Sequence, residues 1–139
     1  MADFNYQLTL ADIGLGLVDL ENDAIKIVLC TAAYVADEAA DHYLSDIDSG
    51  ARIATATLSG KSFTAAVFDA TDITFTAPPS GHTITQAVIY QDASPESSAR
   101  LIRKISSDTY SGFPFDTNDL DVLLAWPNDA DKVFAFVNA

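Results

Sequence analysis

Between Ala24 and Thr31 the chain reads Ala-Ile-Lys-Ile-Val-Leu-Cys-Thr, a β-branched apolar run of strand length behind the polar turn cluster Glu21 to Asp23. This pattern predicts a central strand. Upstream, Ile13, Leu15 and Leu17 alternate with Gly14 and Gly16, and two glycines so close disfavour helix and predict an extended segment near another backbone. Asp37 to Ile47 carries the one helical pattern: Ala36, Ala40, Tyr43, Leu44 and Ile47 fall on one face. Asp37 is placed to cap that helix, and Glu38 and Asp41 occupy its first turn, where the macrodipole favours anions. The helix is expected to end before Gly50.

Everything later reads as strand. Arg52 to Leu58 alternates Ile and Thr with Ala, Lys61 to Asp69 carries Phe63, Val67 and Phe68, and Asp72 to Thr76 alternates strictly, with Gly60 and Pro78-Pro79 as punctuation. Thr83 to Asp92 and Leu101 to Ser106 flank the Pro- and Ser-bearing connection Ala93 to Ser98, as in antiparallel strands joined at the surface. Leu101, Ile102 and Ile105 also suit a helix. Leu120, Val122, Leu124 and Trp126 define one face of a late strand, and Val133 to Val137 a final one. About nine short strands with turns at this spacing predict an all-β, mainly antiparallel fold. The expected form is a jelly-roll-like β-sandwich or barrel with one short helix near residues 37–47, a single domain over residues 1–139 whose termini can extend as arms.

Composition supports a packed core: 49% of the 139 residues are hydrophobic and mean hydropathy is +0.16. Charge narrows the partners. Twenty acidic residues, of which only Glu21, Glu38 and Glu96 are glutamate, stand against seven basic ones for a net −13. Such a chain is repelled by nucleic acid at low salt. The first 49 residues hold ten acids and only Lys26 as a base, a net −9, so the acidity is concentrated there. No run approaches the length of a membrane span, and Met1-Ala2-Asp3 lacks the basic start of a secretory signal, so a soluble protein made in a reducing cytosol is expected. A single cysteine cannot form an intrachain disulfide.

Candidate chemistry is sparse. Asp116-Thr-Asn-Asp-Leu-Asp121 clusters oxygen ligands, yet it lacks the Gly and Glu of a calcium loop, and Asn128-Asp-Ala-Asp131 shares that weakness. His42 and His82 sit in no metal-ligand spacing and read as surface histidines, and Cys30 reads as a small buried hydrophobe within a strand. There is no Gly-x-Ser-x-Gly elbow and no phosphate loop. No catalytic residue, metal or cofactor is expected. The sole basic cluster is Arg100, Arg103 and Lys104, which can either meet an acidic protein surface or guard an edge strand with charge.

Several strand patterns together resemble a known family. They are Asp23-Ala-Ile-Lys-Ile-Val-Leu-Cys-Thr-Ala-Ala-Tyr34, the segment ending Tyr43-Leu-Ser-Asp-Ile47, Ala70-Thr-Asp-Ile-Thr-Phe75, Gln86-Ala-Val-Ile-Tyr-Gln-Asp92 and the strand near Leu124-Ala-Trp126. In this order, over Glu21 to Trp126, they are similar to the small virion proteins encoded in the head and neck modules of tailed bacteriophages. The chain departs from that pattern at Phe75, where Trp is common, and at Gln91, where Lys is common. Its first twenty and last dozen residues have no counterpart there.

Size and acidity are most similar to the capsid cementing (decoration) members of that family. The resemblance implies a β-rich structural protein that binds the outer surface of an icosahedral capsid as a homodimer and cements neighbouring major capsid proteins. It would act in the virion, after synthesis in the bacterial host cytoplasm, without catalysis, nucleic acid or membrane. On this reading an exposed strand edge makes the dimer, and Arg100, Arg103 and Lys104, or the unmatched termini, grip the capsid. The alternatives are a neck or tail-completion protein, and a soluble calcium- or carbohydrate-binding β-sandwich using Asp116, Asp119, Asp121 and Trp126.

Overall fold

A computed structural model describes residues 3–108, 110, 112–126 and 134–135. Its strands, in chain order, are β1 (Phe4–Asn5), β2 (Ile25–Cys30), β3 (Arg52–Thr57), β4 (Ser62–Thr64), β5 (Val67–Asp69) and β6 (Ile73–Phe75). They continue as β7 (Thr83–Ile84), β8 (Gln86–Gln91), β9 (Leu101–Ser106), β10 (Phe115–Asp116), β11 (Val122–Leu124) and β12 (Phe134–Ala135). The α-helix α1 (Gln7–Gly14) lies between β1 and β2. Every strand pair is antiparallel, so the all-β class holds.

The apolar run at β2 forms an internal strand because both of its faces are covered. It pairs with β8 on one side and β3 on the other, within a five-stranded sheet of order β1-β9-β8-β2-β3. On one face Ile25, Ile27, Leu29, Ala87 and Ile89 pack beneath Phe68, Ile73, Phe75, Phe113, Leu124 and Trp126. Those covering residues belong largely to the small ladders β4–β5–β12 and β6–β11. On the opposite face Val28, Cys30, Val88, Tyr90 and Leu101 pack beneath Tyr6, Tyr34, Leu44, Ile47 and Ala51. Strands buried on both faces read as near-continuous apolar runs, as β2 and β8 do.

The predicted helix over residues 37–47 does not form. Asp37 does cap one turn, with Asp41 N on its carbonyl, but Asp46 captures the His42 and Tyr43 N–H groups that a continuing helix would bond internally, and Gln7 N takes the Glu38 carbonyl. Asp37 Oδ1 accepts from Ala39 N and Ala40 N, Asp41 Oδ2 from Asp37 N, and Asp46 Oδ2 from His42 N and Tyr43 N, at 2.8–3.0 Å. Only a 3-10 turn at Leu44–Asp46 remains, and Leu44 N and Leu101 N tie the segment to the start of β9.

The helix lies instead at α1, which replaces the first part of the extended segment expected around Ile13 to Leu17. Gly14 is its last residue, and Gly16, at φ +77°, takes the left-handed conformation that ends helices. The glycine pair therefore marks a helix C-terminus.

Lys61 to Asp69 is two strands, because Ala65 and Ala66 form a two-residue hairpin turn at φ 52° and 65°. Alanine carries no turn signal, and its Cβ strains this left-handed backbone. Ala65→Asn with Ala66→Gly is therefore expected to stabilise the protein by about 1 kcal/mol, read from the urea midpoint. An unchanged or lowered midpoint would argue against this turn.

Leu101 to Ser106 is strand, the first of its two readings. In the late strand Leu124 and Trp126 face the core while Leu120 is exposed. Of Val133 to Val137, Phe134 and Ala135 pair with Phe68 and Val67. The rest of that strand, and Asn128 to Asp131, lie outside the described residues. Among the described residues no helix is long and apolar enough to cross a membrane.

Candidate interaction surface

From Gln7 to Val18 the chain carries a single charged residue, Asp12, although its net charge is −13. Eight residues with no side-chain cap make a marginal helix on local grounds, so α1 depends on what it packs against. Tyr6, at its N-terminus, is fully buried and donates its N–H to Ile102 O at 3.0 Å. Its hydroxyl meets Tyr34 Oη at 2.8 Å, and Tyr34 in turn donates to Asp41 Oδ2 at 2.7 Å. Burial raises the pKa of both phenols, so they stay protonated and available as donors.

Asp12 clamps the middle of the helix. Its Oδ2 receives Arg100 Nε at 2.9 Å and lies 2.5 Å from His42 Nε2, on side chains only 14–22% exposed. Arg100 also donates to Gln91 Oε1, and Gln91 Nε2 donates to Leu17 O at 3.1 Å and to Asp23 Oδ2 at 2.8 Å. One polar network thus joins α1, the turn that follows it, β8 and the start of β9.

With its inner side committed in this way, α1 and the turn after it present leucines to the outside. Leu8 is 41% exposed, Leu10 38%, Leu15 74% and Leu17 47%. Scattered apolar side chains are ordinary on a surface; here Leu8 and Leu15, seven positions apart, fall on one side of the helix axis, and Leu10, two positions from Leu8, on the other.

Beside this face a groove of about 470 Å3 runs between the turn and β4. Its apolar walls are Ile13, Val18, Leu20 and Phe63, and Asp19 and Glu21 also line it. Glu21 Oε1 accepts from Phe63 N at 2.8 Å. Asn22, through its side-chain amide and its backbone N–H, together with Glu21 N, holds the Asp19 carboxyl below the usual range and therefore ionised.

The basic cluster does not form one outward patch. β9 is not an edge strand, because β1 pairs along it with Phe4 opposite Lys104 and Asn5 opposite Arg103. Lys104 is 3% exposed with Nζ 4.9 Å from the Phe4 ring centroid, and burial lowers its pKa. Arg103 Nη1 donates to Asn5 Oδ1, and Arg100 is held by Asp12 and Gln91. Successive strand residues point to opposite faces, which separates cations that are neighbours in sequence.

The acidic loop serves the fold. Asp116 Oδ1 accepts from Thr83 Oγ1, Asp119 Oδ1 from Ser80 N and Asp121 Oδ1 from Ala77 N, fastening the connection between β6 and β7. Trp126, named with these aspartates in the calcium- or carbohydrate-binding alternative, is 9% exposed and donates Nε1–H to Thr71 O at 3.2 Å, so its ring is largely covered. No group of three or more metal-ligating side chains converges among the described residues. Cys30 is the buried hydrophobe expected, its thiol pushed up to about 12 by burial.

His42 is not a free surface histidine: its ring contacts Asp12 and stacks on Tyr43 at 4.0 Å. His82 joins its backbone to Thr117. The leucine face was absent from the sequence expectations. Its signal was the run of twelve residues with one charge in a strongly acidic chain. No protein-family model matches this chain, and no curated protein does.

Proposed function

We propose that this protein is a non-catalytic structural component of a tailed-phage virion, a homodimer that binds the outer surface of an icosahedral capsid and cements neighbouring major capsid proteins. The family resemblance of the strand patterns and the antiparallel β fold support the virion reading. The observation that carries a binding role is the run of exposed leucines over α1 and the turn after it, Leu8, Leu10, Leu15 and Leu17, within twelve residues whose only charge is the clamped Asp12, on a chain of net −13.

The side of the helix that carries Leu8 and Leu15 is proposed for the dimer in place of the strand edge first expected. Two strongly acidic copies repel over most of their surfaces, and this face lets them meet without opposing carboxylates. A shell-binding protein gains by mass action because it binds the assembled lattice and not free subunits, and two linked copies add avidity.

Co-sedimentation with capsid shells lacking the protein tests the function. Saturation near one copy per major capsid subunit is the expected result. A handful of copies per particle would move the protein to the neck or tail, and no binding would overturn the virion reading. For the dimer, Leu8→Glu with Leu15→Glu is expected to convert a two-chain mass in sedimentation equilibrium to a one-chain mass, with the circular-dichroism spectrum unchanged. A wild type that sediments as one chain, or a variant that remains a dimer, would remove α1 from the interface.

A further inference from the structure

The groove between the post-helix turn and β4 has a composition of its own. Its walls, Ile13, Val18, Leu20 and Phe63, are apolar, and both of its charged lining residues, Asp19 and Glu21, are acidic. At about 470 Å3 it falls within the roughly 300–1,000 Å3 of ordinary ligand pockets. Lys61 acts on Asp19 from beyond the lining and is bonded to the Asp23 carbonyl, so the charges that face the trough are the two carboxylates. This suits an occupant that is apolar along its length and positively charged at one point. We propose that this groove docks an extended apolar segment of a different protein, one that carries a Lys or Arg to meet Asp19 and Glu21.

A second copy of this chain is a poor occupant, because the cations among its described residues are already engaged. Arg52 pairs with Glu96, Arg100 with Asp12 and Lys26 with Asp92, while Lys61 donates to the carbonyl of Asp23. Arg103 is bonded to Asn5 and Lys104 is buried against Phe4. A copy would therefore bring net −13 to an acidic rim with no available cation among its described residues.

The carboxylates are also positioned in advance. Asp19 is fixed by the N–H groups of its own turn, and Glu21 holds β4 with one oxygen while its other, Oε2, takes no part in that bond. A cation on the occupant thus meets charges that are already ordered, which limits the entropy lost on binding. This inference does not depend on the partner being a capsid protein.

The test is fluorescence anisotropy of the intact protein with a fluorescein-labelled peptide, Gly-Leu-Lys-Leu-Leu-Gly, and its Lys-to-Glu counterpart. Exposed charge pairs are worth up to about fivefold each, so the swing from attraction to repulsion predicts about tenfold tighter binding of the lysine peptide at low salt. That preference should shrink as salt is raised. Glu21→Gln, which keeps an oxygen for Phe63 N, is expected to reduce the preference, and Glu21→Lys, which leaves one negative and one positive charge on the rim, to abolish it.

No saturable binding, equal binding of the two peptides, or a preference unchanged in Glu21→Gln would overturn the proposal. Shell binding measured in parallel separates the two readings. Shells bound without peptide binding would overturn the groove and leave the virion role standing, and peptide bound without shells would do the reverse.

Discussion

Phe68→Ala is expected to remove about 3–5 kcal/mol of stability, the cost of lost transfer free energy plus the cavity left behind. Phe68 is fully buried on β5, pairs in register with Phe63 of β4 and Phe134 of β12, and sits in the core that joins the small ladders to the five-stranded sheet. A domain of this size is stable by only about 5–15 kcal/mol, so this one truncation removes a large fraction of the total. The guanidinium midpoint reads the effect. Leu123→Ala, at an exposed position of β11, serves as the comparison and should change stability by less than about 0.5 kcal/mol. Similar losses for the two variants would mean that β5 does not pack over the sheet as described.

Asp12→Ala should have the second largest effect, about 2–4 kcal/mol, and its consequence reaches function. Removing one member of a buried charged pair typically costs 3–5 kcal/mol because the partner stays buried without compensation, and partial exposure of Asp12, Arg100 and His42 lowers that figure. The helix is the element affected. Without the clamp, α1 retains too few local interactions to persist, so amide exchange from Gln7 to Gly14 should accelerate more than exchange in β2 or β8. The dimer contact proposed for Leu8 and Leu15 should weaken with it. Asp12→Asn, which keeps one acceptor, should fall between wild type and Asp12→Ala. A stability change below about 0.5 kcal/mol with unaltered exchange would show that α1 is held by its apolar contacts alone.

The strands that the chain announced most clearly are those whose own residues bury both faces. Ile25 to Cys30, Gln86 to Gln91 and Leu101 to Ser106 each carry an apolar, largely β-branched majority, and each formed within the expected limits. Cys30 was read correctly for the same reason, since its neighbours are core residues in any register. Asp37 fills the N-cap role expected of it, but the helix stops after one turn, because Asp46 takes the His42 and Tyr43 N–H groups and Gln7 N takes the Glu38 carbonyl. The helix that exists escaped notice because its stability comes from elsewhere. Asp12 and Arg100 are 88 residues apart, and local pattern carries no information about such a bond.

The candidate site divides along the same line. An excess of Asp, a dearth of cations and the uncharged stretch from Leu8 to Leu17 apart from Asp12 were all present in the linear chain. What they meant depended on which side chains turned inward. Arg100, Arg103 and Lys104 looked like an outward cluster until β1 covered β9, and Trp126 was a candidate binding residue until its ring entered the core. By itself the sequence determined the all-β class, the internal strands and the acidity, because these follow from composition and from a period of two along each strand. Only the tertiary structure decided where the helix lies, which charges are neutralised and which leucines face out, because each of those depends on contacts between residues distant in the chain.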